Sequence, residues 1–181
     1  PENELPGIVK RWRQANKNIV RFWYAVEEAA INAVQGCPST LAHGIRFERE
    51  KDYLFITLPS GRRLAYYKPE LRPEPMFDKM GLTYLGTDQN KNYSRQKTYG
   101  GKLTENITQA TARDCLRDAM TALDAAGYRI VFHVHDEVIA DMPVGTGSLA
   151  EMQEIMGRSL PWAPGLPLRA AGFEADFYMK D

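Results

Sequence analysis

Two adjacent carboxylates, Asp136 and Glu137, interrupt the otherwise strand-like run Tyr128-Arg129-Ile130-Val131-Phe132-His133-Val134-His135-Asp136-Glu137-Val138-Ile139-Ala140-Asp141. An ionised side chain in an apolar strand pattern is costly unless it meets a metal, a partner charge, or a turn that lets it reach water. Paired carboxylates at a turn offer the hard oxygen ligands that Mg2+ takes, commonly alongside the phosphate oxygens of a substrate. A cation there would also relieve the repulsion between the like charges. A bare Asp-Glu pair is equally what an ordinary solvated turn contains, and a dipeptide alone does not separate the two. His133 and His135, two apart and so on one face of a strand, could begin a transition-metal site of a metal-dependent hydrolase. That set is under-supplied, because His43 is the only further histidine and none follows Asp136 at the short spacing such sites use.

The apolar runs 130–134 and 138–140 are β-branched and short, which predicts two strands with the acids at the bend between them. Before them, Leu103, Ile107, Cys115, Leu116, Ala119, Met120 and Leu123 recur at helical spacing and predict a helix ending before Gly127. Gln109 and Arg113 lie one turn apart on its polar stripe, flanked by Asn106 and Arg117. Gly100-Gly101 breaks that helix from a sheet region, in which Tyr53–Leu58 and Arg62–Tyr67 form a hairpin around Pro59-Ser60-Gly61. Residues 82–86 and 93–99 read as strands, and Pro69, Pro73 and Pro75 as an irregular connector. Ser148-Leu149-Ala150-Glu151 has capping-box spacing for a short helix, and 168–178 reads as a final strand.

At the other end, Ile8, Val9, Trp12, Ile19, Phe22, Trp23, Val26, Ala30 and Val34 step by threes and fours, predicting one long helix from Pro6 to Gln35. Its cations Lys10, Arg11, Arg13, Lys17 and Arg21 have no acid to offset them and could meet phosphates or simply face water. Arg13, Lys17 and Tyr24 nearly imitate a nucleotide-binding helix of the form Arg-x3-Lys-x7-Tyr-Gly, but Tyr24 comes one residue early and Ala25 stands where glycine belongs. The element order predicts an α+β fold, an antiparallel sheet with a carboxylate-bearing hairpin backed by helices. The expected division is 1–36, the long helix, and 37–181, the α+β domain.

With 181 residues, 44% hydrophobic and 25% charged, the chain is long enough for a real core and unlike a disordered or fibrous sequence. Its formal net charge of zero does not announce a nucleic-acid binder by bulk electrostatics. No long apolar run suggests a membrane span, and Cys37 and Cys115 lack metal or redox spacing, favouring reduced thiols in a cytoplasmic protein.

Tyr99-Gly100-Gly101-Lys102-Leu103-Thr104-Glu105-Asn106-Ile107-Thr108-Gln109-Ala110-Thr111-Ala112-Arg113-Asp114, followed by His133-Val134-His135-Asp136-Glu137, resembles the C-terminal, palm part of family A (DNA polymerase I-like) DNA polymerases of the bacteriophage type. Leu166–Ala175 and the segment from Ile45-Arg46-Phe47 to Tyr66 are similar to phage members as well. The resemblance implies that His135-Asp136-Glu137 is the family's third motif, on a palm hairpin. Asp136 would be one of two carboxylates holding a catalytic Mg2+ pair, Glu137 the adjacent acid and His135 a residue near the primer terminus. Gln109 and Arg113, with Asn106 beside them, would lie on the helix facing the minor groove at the primer end, and residues 1–36 would lead from the fingers side. The implied partners are primer-template DNA and deoxynucleoside triphosphates. The implied reaction is in-line attack of the primer 3′-hydroxyl on an α-phosphate, with two cations roughly 3.5–4 Å apart.

Only half of that metal site is present. The first family motif, Asp-x-Ser-x-x-Glu-x-Arg, has no match, and neither does the nucleotide-binding helix; both are expected upstream of Pro1 in a missing N-terminal part. The chain is therefore expected to be inactive alone. The alternatives are a DNA-binding subunit of a split polymerase and, more weakly, the His133/His135 hydrolase.

Overall fold

The computed structural model describes residues 4–74 and 79–179. Its first helical stretch is two helices, α1 (Leu5–Ala15) and α2 (Lys17–Val34), not the single helix expected from Pro6 to Gln35. The interruption is Asn16, at φ −112°, ψ 45°, whose backbone N–H and side-chain amide both donate to the Trp12 carbonyl at 2.9 Å and so close the end of α1. Trp12 and Trp23 stack with ring centroids 5.5 Å apart. Eleven residues would separate them by about 16 Å along a straight helix, so the stack requires the bend at Asn16.

Alanine and valine make the inner stripe of α2: Val26, Ala29, Ala30, Ala33 and Val34 are buried. Small side chains let it lie close on an antiparallel sheet in which every strand pairs with its neighbour in sequence: β1 (Ser39–Thr40), β2 (Arg46–Glu50), β3 (Tyr53–Thr57), β4 (Arg63–Glu74), β5 (Lys79–Thr87) and β6 (Tyr93–Thr98). Phe47, Leu54, Ile56 and Tyr66 fill the face toward the helix and are all buried. The β3–β4 hairpin agrees with the alternation read from the sequence. The proline connector does not, because β4 runs through Pro69 and Pro73. Pairing with β5 is irregular between Tyr67 and Glu70, so Pro69, which has no N–H to give, sits where the ladder is already broken. Pro75 lies outside the described residues.

Helix α3 (Gly100–Ala125) begins at the two glycines instead of after them. A Cβ on Gly100 would stand 2.0 Å from the Trp23 carbonyl oxygen, and the Gly100 N–H donates to Glu27 Oε2 at 3.0 Å. Glycine is what allows α3 to start against α2. Of the expected inner face, Leu103, Ile107, Leu116, Ala119 and Leu123 are buried.

By compactness the chain divides into two units, Pro1–Thr108 and Gln109–Asp181. Packing of α2 on the sheet makes the N-terminal helices part of the first unit. In the second unit, β7 (Ile130–Val134) and β8 (Glu137–Ala140) form their own two-stranded sheet, separate from the six-stranded one. Helix α4 (Leu149–Gly157) follows, with Ser148 Oγ accepting from the Glu151 N–H as the capping box predicts. The final strand expected over 168–178 is not formed; these residues alternate suitably but pair with no strand edge among the described residues. The architecture is mixed α+β, as expected. No helix among the described residues is long and apolar enough to cross a membrane.

Candidate functional site

The hairpin that carries the acids is closed at its base and open at its tip. At the base, Asp141 N–H donates to the Arg129 carbonyl at 3.0 Å, and the Arg129 guanidinium and Asp141 carboxylate pair side by side. Beneath it, the buried Tyr128 hydroxyl donates to Glu151 Oε2 at 2.5 Å and accepts from the Ser148 N–H at 3.0 Å. The Glu151 carboxylate, with burial as the smaller cause, holds the Tyr128 phenol above its ordinary value. These contacts fasten the start of β7 to the first turn of α4.

At the tip, Val134 pairs with Glu137, leaving His135 and Asp136 as a two-residue turn. His135 takes a left-handed backbone, φ 52°, which reverses the chain in so short a loop. Asp136 is exposed and Glu137, the first residue of β8, is half-buried. The two acids therefore have different settings, and the charge is not buried: the turn delivers it to water. Asp136 is free to coordinate a hard cation from the outside, and Glu137 is tied to the strand. Two neighbouring carboxylates suit Mg2+, which keeps several waters and asks few ligands of the protein. Among the described residues no group of three or more His, Cys, Asp or Glu side chains is gathered as a metal cage.

Helix α3 reaches this hairpin through Arg113, whose Nη2 lies 3.2 Å from His133 Nε2. Arginine only donates, so the guanidinium presents a donor to His133 Nε2. A metal on His133 would have to displace that fixed positive charge, which disfavours the histidine-pair hydrolase. Gln109, exposed one turn before Arg113, shares its stripe. Asn106 is placed differently: its amide donates to Tyr66 Oη at 2.9 Å within the first unit. Burial raises the Tyr66 phenol above its ordinary value, against the lowering effect of that bond.

Sequence reasoning missed the anchors behind the site. Asp118, half-buried on α3, accepts from Trp162 Nε1 at 2.6 Å and from Arg117 at 2.7 and 3.0 Å, while its carbonyl accepts from Arg158 at 3.3 Å. Burial alone would push the Asp118 carboxyl up; the Trp162 and Arg117 hydrogen bonds outweigh it and hold the group below its ordinary value. Tyr178 meets Phe132 of β7 edge to face, centroids 5.0 Å apart. The Arg129/Asp141 pair was the one readable signal, opposite charges at the two ends of a predicted hairpin.

The chain is 54% identical over 181 residues, 99% of its length, to a protein of Bacillus phage SP02 described as DNA polymerase, and it spans 28% of that relative. No protein-family model matches the chain. No solved structure matches it either.

Proposed function

We propose that this chain is the C-terminal palm portion of a family A DNA polymerase, with Asp136 one of the carboxylates of its catalytic metal site. The observation that carries the reading is identity of 54%, sustained over 99% of the chain, to a phage protein described as DNA polymerase. The geometry adds support: the exposed Asp136 stands at the tip of a braced hairpin, and His133 ties the hairpin to a helix stripe carrying Gln109 and Arg113.

In this reading a second carboxylate and the nucleotide-binding helix come from a segment outside these 181 residues. Mg2+ bound there would activate the primer hydroxyl and neutralise charge at the phosphate under attack. The chain's own residues do the positioning. Gln109 and Arg113 donate to acceptors on the minor-groove edge of the primer terminus, acceptors that every base pair presents there, so the contact checks pairing geometry without reading sequence. His133 orients Arg113, His135 lies beside the primer end, and Glu137 supports Asp136 from the strand. The partners are primer-template DNA and deoxynucleoside triphosphates, and the site of action is the cytoplasm.

A graft in which this chain replaces the matching 28% of the phage SP02 protein tests the reading. The graft is expected to extend a primer with Mg2+ and all four nucleotides, and the chain alone to extend none. Robust synthesis by the isolated chain, or a folded graft that binds primer-template yet makes no DNA, contradicts it.

A further inference from the structure

The six-stranded sheet has a second face that the proposed chemistry does not use. One face is buried under α2; by register the other presents Tyr53, Phe55 and Tyr67 in a row across β3 and β4. Tyr53 stacks on Phe55 with centroids 5.5 Å apart and meets Tyr67 at 5.1 Å. The row is bracketed by cations: the Arg63 guanidinium lies 3.6 Å over the Phe55 ring, and Lys68 Nζ is 5.5 Å from the Tyr67 ring. Lys68 stands at the β4 irregularity with φ 45°, a backbone that re-aims its side chain off the regular pleat. Tyr53 remains 39% exposed, so its ring is open to solvent, while Phe55 and Tyr67 are half-buried.

The acids on this face are taken up by arginines: Glu48 is shared by Arg46 and Arg63, Glu50 pairs with Arg63, and Glu70 is shared by Arg72 and Arg95. Lys68 and Lys97, the latter beside Thr83 on the same face, make no ion pair among the described residues. Exposed arginine-glutamate pairs are weak and exchange readily, so a phosphate can compete for the arginines as well. An exposed aromatic ring beside cations is what an unpaired base stacks upon; duplex bases hide the ring faces that such a contact needs. A sheet stabilised only by cross-strand pairs would need neither the unpaired lysines nor the open Tyr53 ring.

We propose that this sheet face binds single-stranded DNA, with one base stacked on Tyr53 and flanking phosphates at Lys68 and Lys97. Its identification with the unpaired template beyond the primer junction rests on the polymerase reading; the binding itself does not.

The test is fluorescence anisotropy of the intact 181-residue chain with a labelled twelve-nucleotide oligo-dT, without metal, over a series of salt concentrations. Binding is expected to weaken with salt. Tyr53→Ala is expected to weaken it at least about fivefold, in line with the loss of one stacked base. Lys68→Glu with Lys97→Glu is expected to flatten the log–log salt slope by about 1.4, at about 0.7 per lost phosphate contact. Tyr53→Phe, which keeps the ring, should bind like the parent, and circular dichroism confirms that each variant is folded. Unchanged binding in the Tyr53→Ala and lysine variants, or preference for blunt duplex over oligo-dT, overturns the proposal. If the graft makes DNA while these variants bind normally, the sheet-face proposal alone fails; if oligo-dT binds as expected and the graft is inert, the polymerase reading alone fails.

Discussion

Asp118 fastens the segment after α4 back onto α3, and Trp162→Phe removes one contact of that anchor while keeping most of the ring's bulk. The lost bond is Trp162 Nε1 to Asp118 Oδ2, 2.6 Å, with an ionised acceptor. Hydrogen bonds to charged groups contribute about 1.5–3 kcal/mol. The Asp118 side chain is 23% exposed, so water recovers part of the loss, and about 1–2 kcal/mol is the expected cost. Asp118→Ala should cost more, because Arg117 loses its partner too. Urea unfolding followed by far-UV circular dichroism avoids the change in tryptophan signal. The folded-state Asp118 carboxyl is held below its ordinary 3.8, so its stabilisation is present above that value and is lost as pH falls through the lower folded value. The gap between parent and Asp118→Asn should therefore close in strong acid. A Trp162→Phe cost below about 0.3 kcal/mol, or a gap that widens on acidification, would refute the anchor.

Gly100→Ala should destabilise the chain by about 1–3 kcal/mol in the same urea assay, since the added carbon meets the Trp23 backbone oxygen, which cannot swing away. Leu123→Ala, at a fully buried position of α3, should cost about 2–5 kcal/mol. Thiol labelling near neutral pH should proceed in two phases, the exposed Cys37 first; burial, with Asp114 and Asp118 adding to it, raises the Cys115 thiol and keeps it from its reactive form. Equal labelling rates would contradict the placement of Cys115.

Periodicity made most elements legible. The β3–β4 hairpin, the β5–β6 pair, the face of α3, the acid-bearing hairpin and the cap at Ser148 all follow local rules of alternation, helical spacing and capping, and they stand where those rules put them. Failures occur where a single residue or a distant partner decides. The bend at Asn16 depends on the backbone angles of one residue and the amide that doubles its bond to Trp12. Pro69 is tolerated in β4 by an irregularity that only cross-strand register reveals. Residues 168–178 have strand-like alternation but pair with no strand among the described residues. At the site, the tip position of Asp136 was readable because turns and strands are local, whereas the Arg113–His133 contact and the Asp118 anchor join residues far apart in sequence.

Asp136 is proposed to hold a catalytic cation in DNA synthesis. Single-turnover nucleotide incorporation by the graft carrying Asp136→Asn, with saturating primer-template and Mg2+, addresses it directly. The substitution keeps the shape of the exposed turn and removes the charge. Loss of a ligand that supplies several kcal/mol of transition-state stabilisation predicts a fall of about 10³-fold or more, with primer-template affinity nearly unchanged. Glu137→Gln should fall less, because Glu137 begins β8 instead of standing at the tip. Incorporation by Asp136→Asn within about tenfold of the parent graft, a difference of only about 1.4 kcal/mol, would contradict the claim.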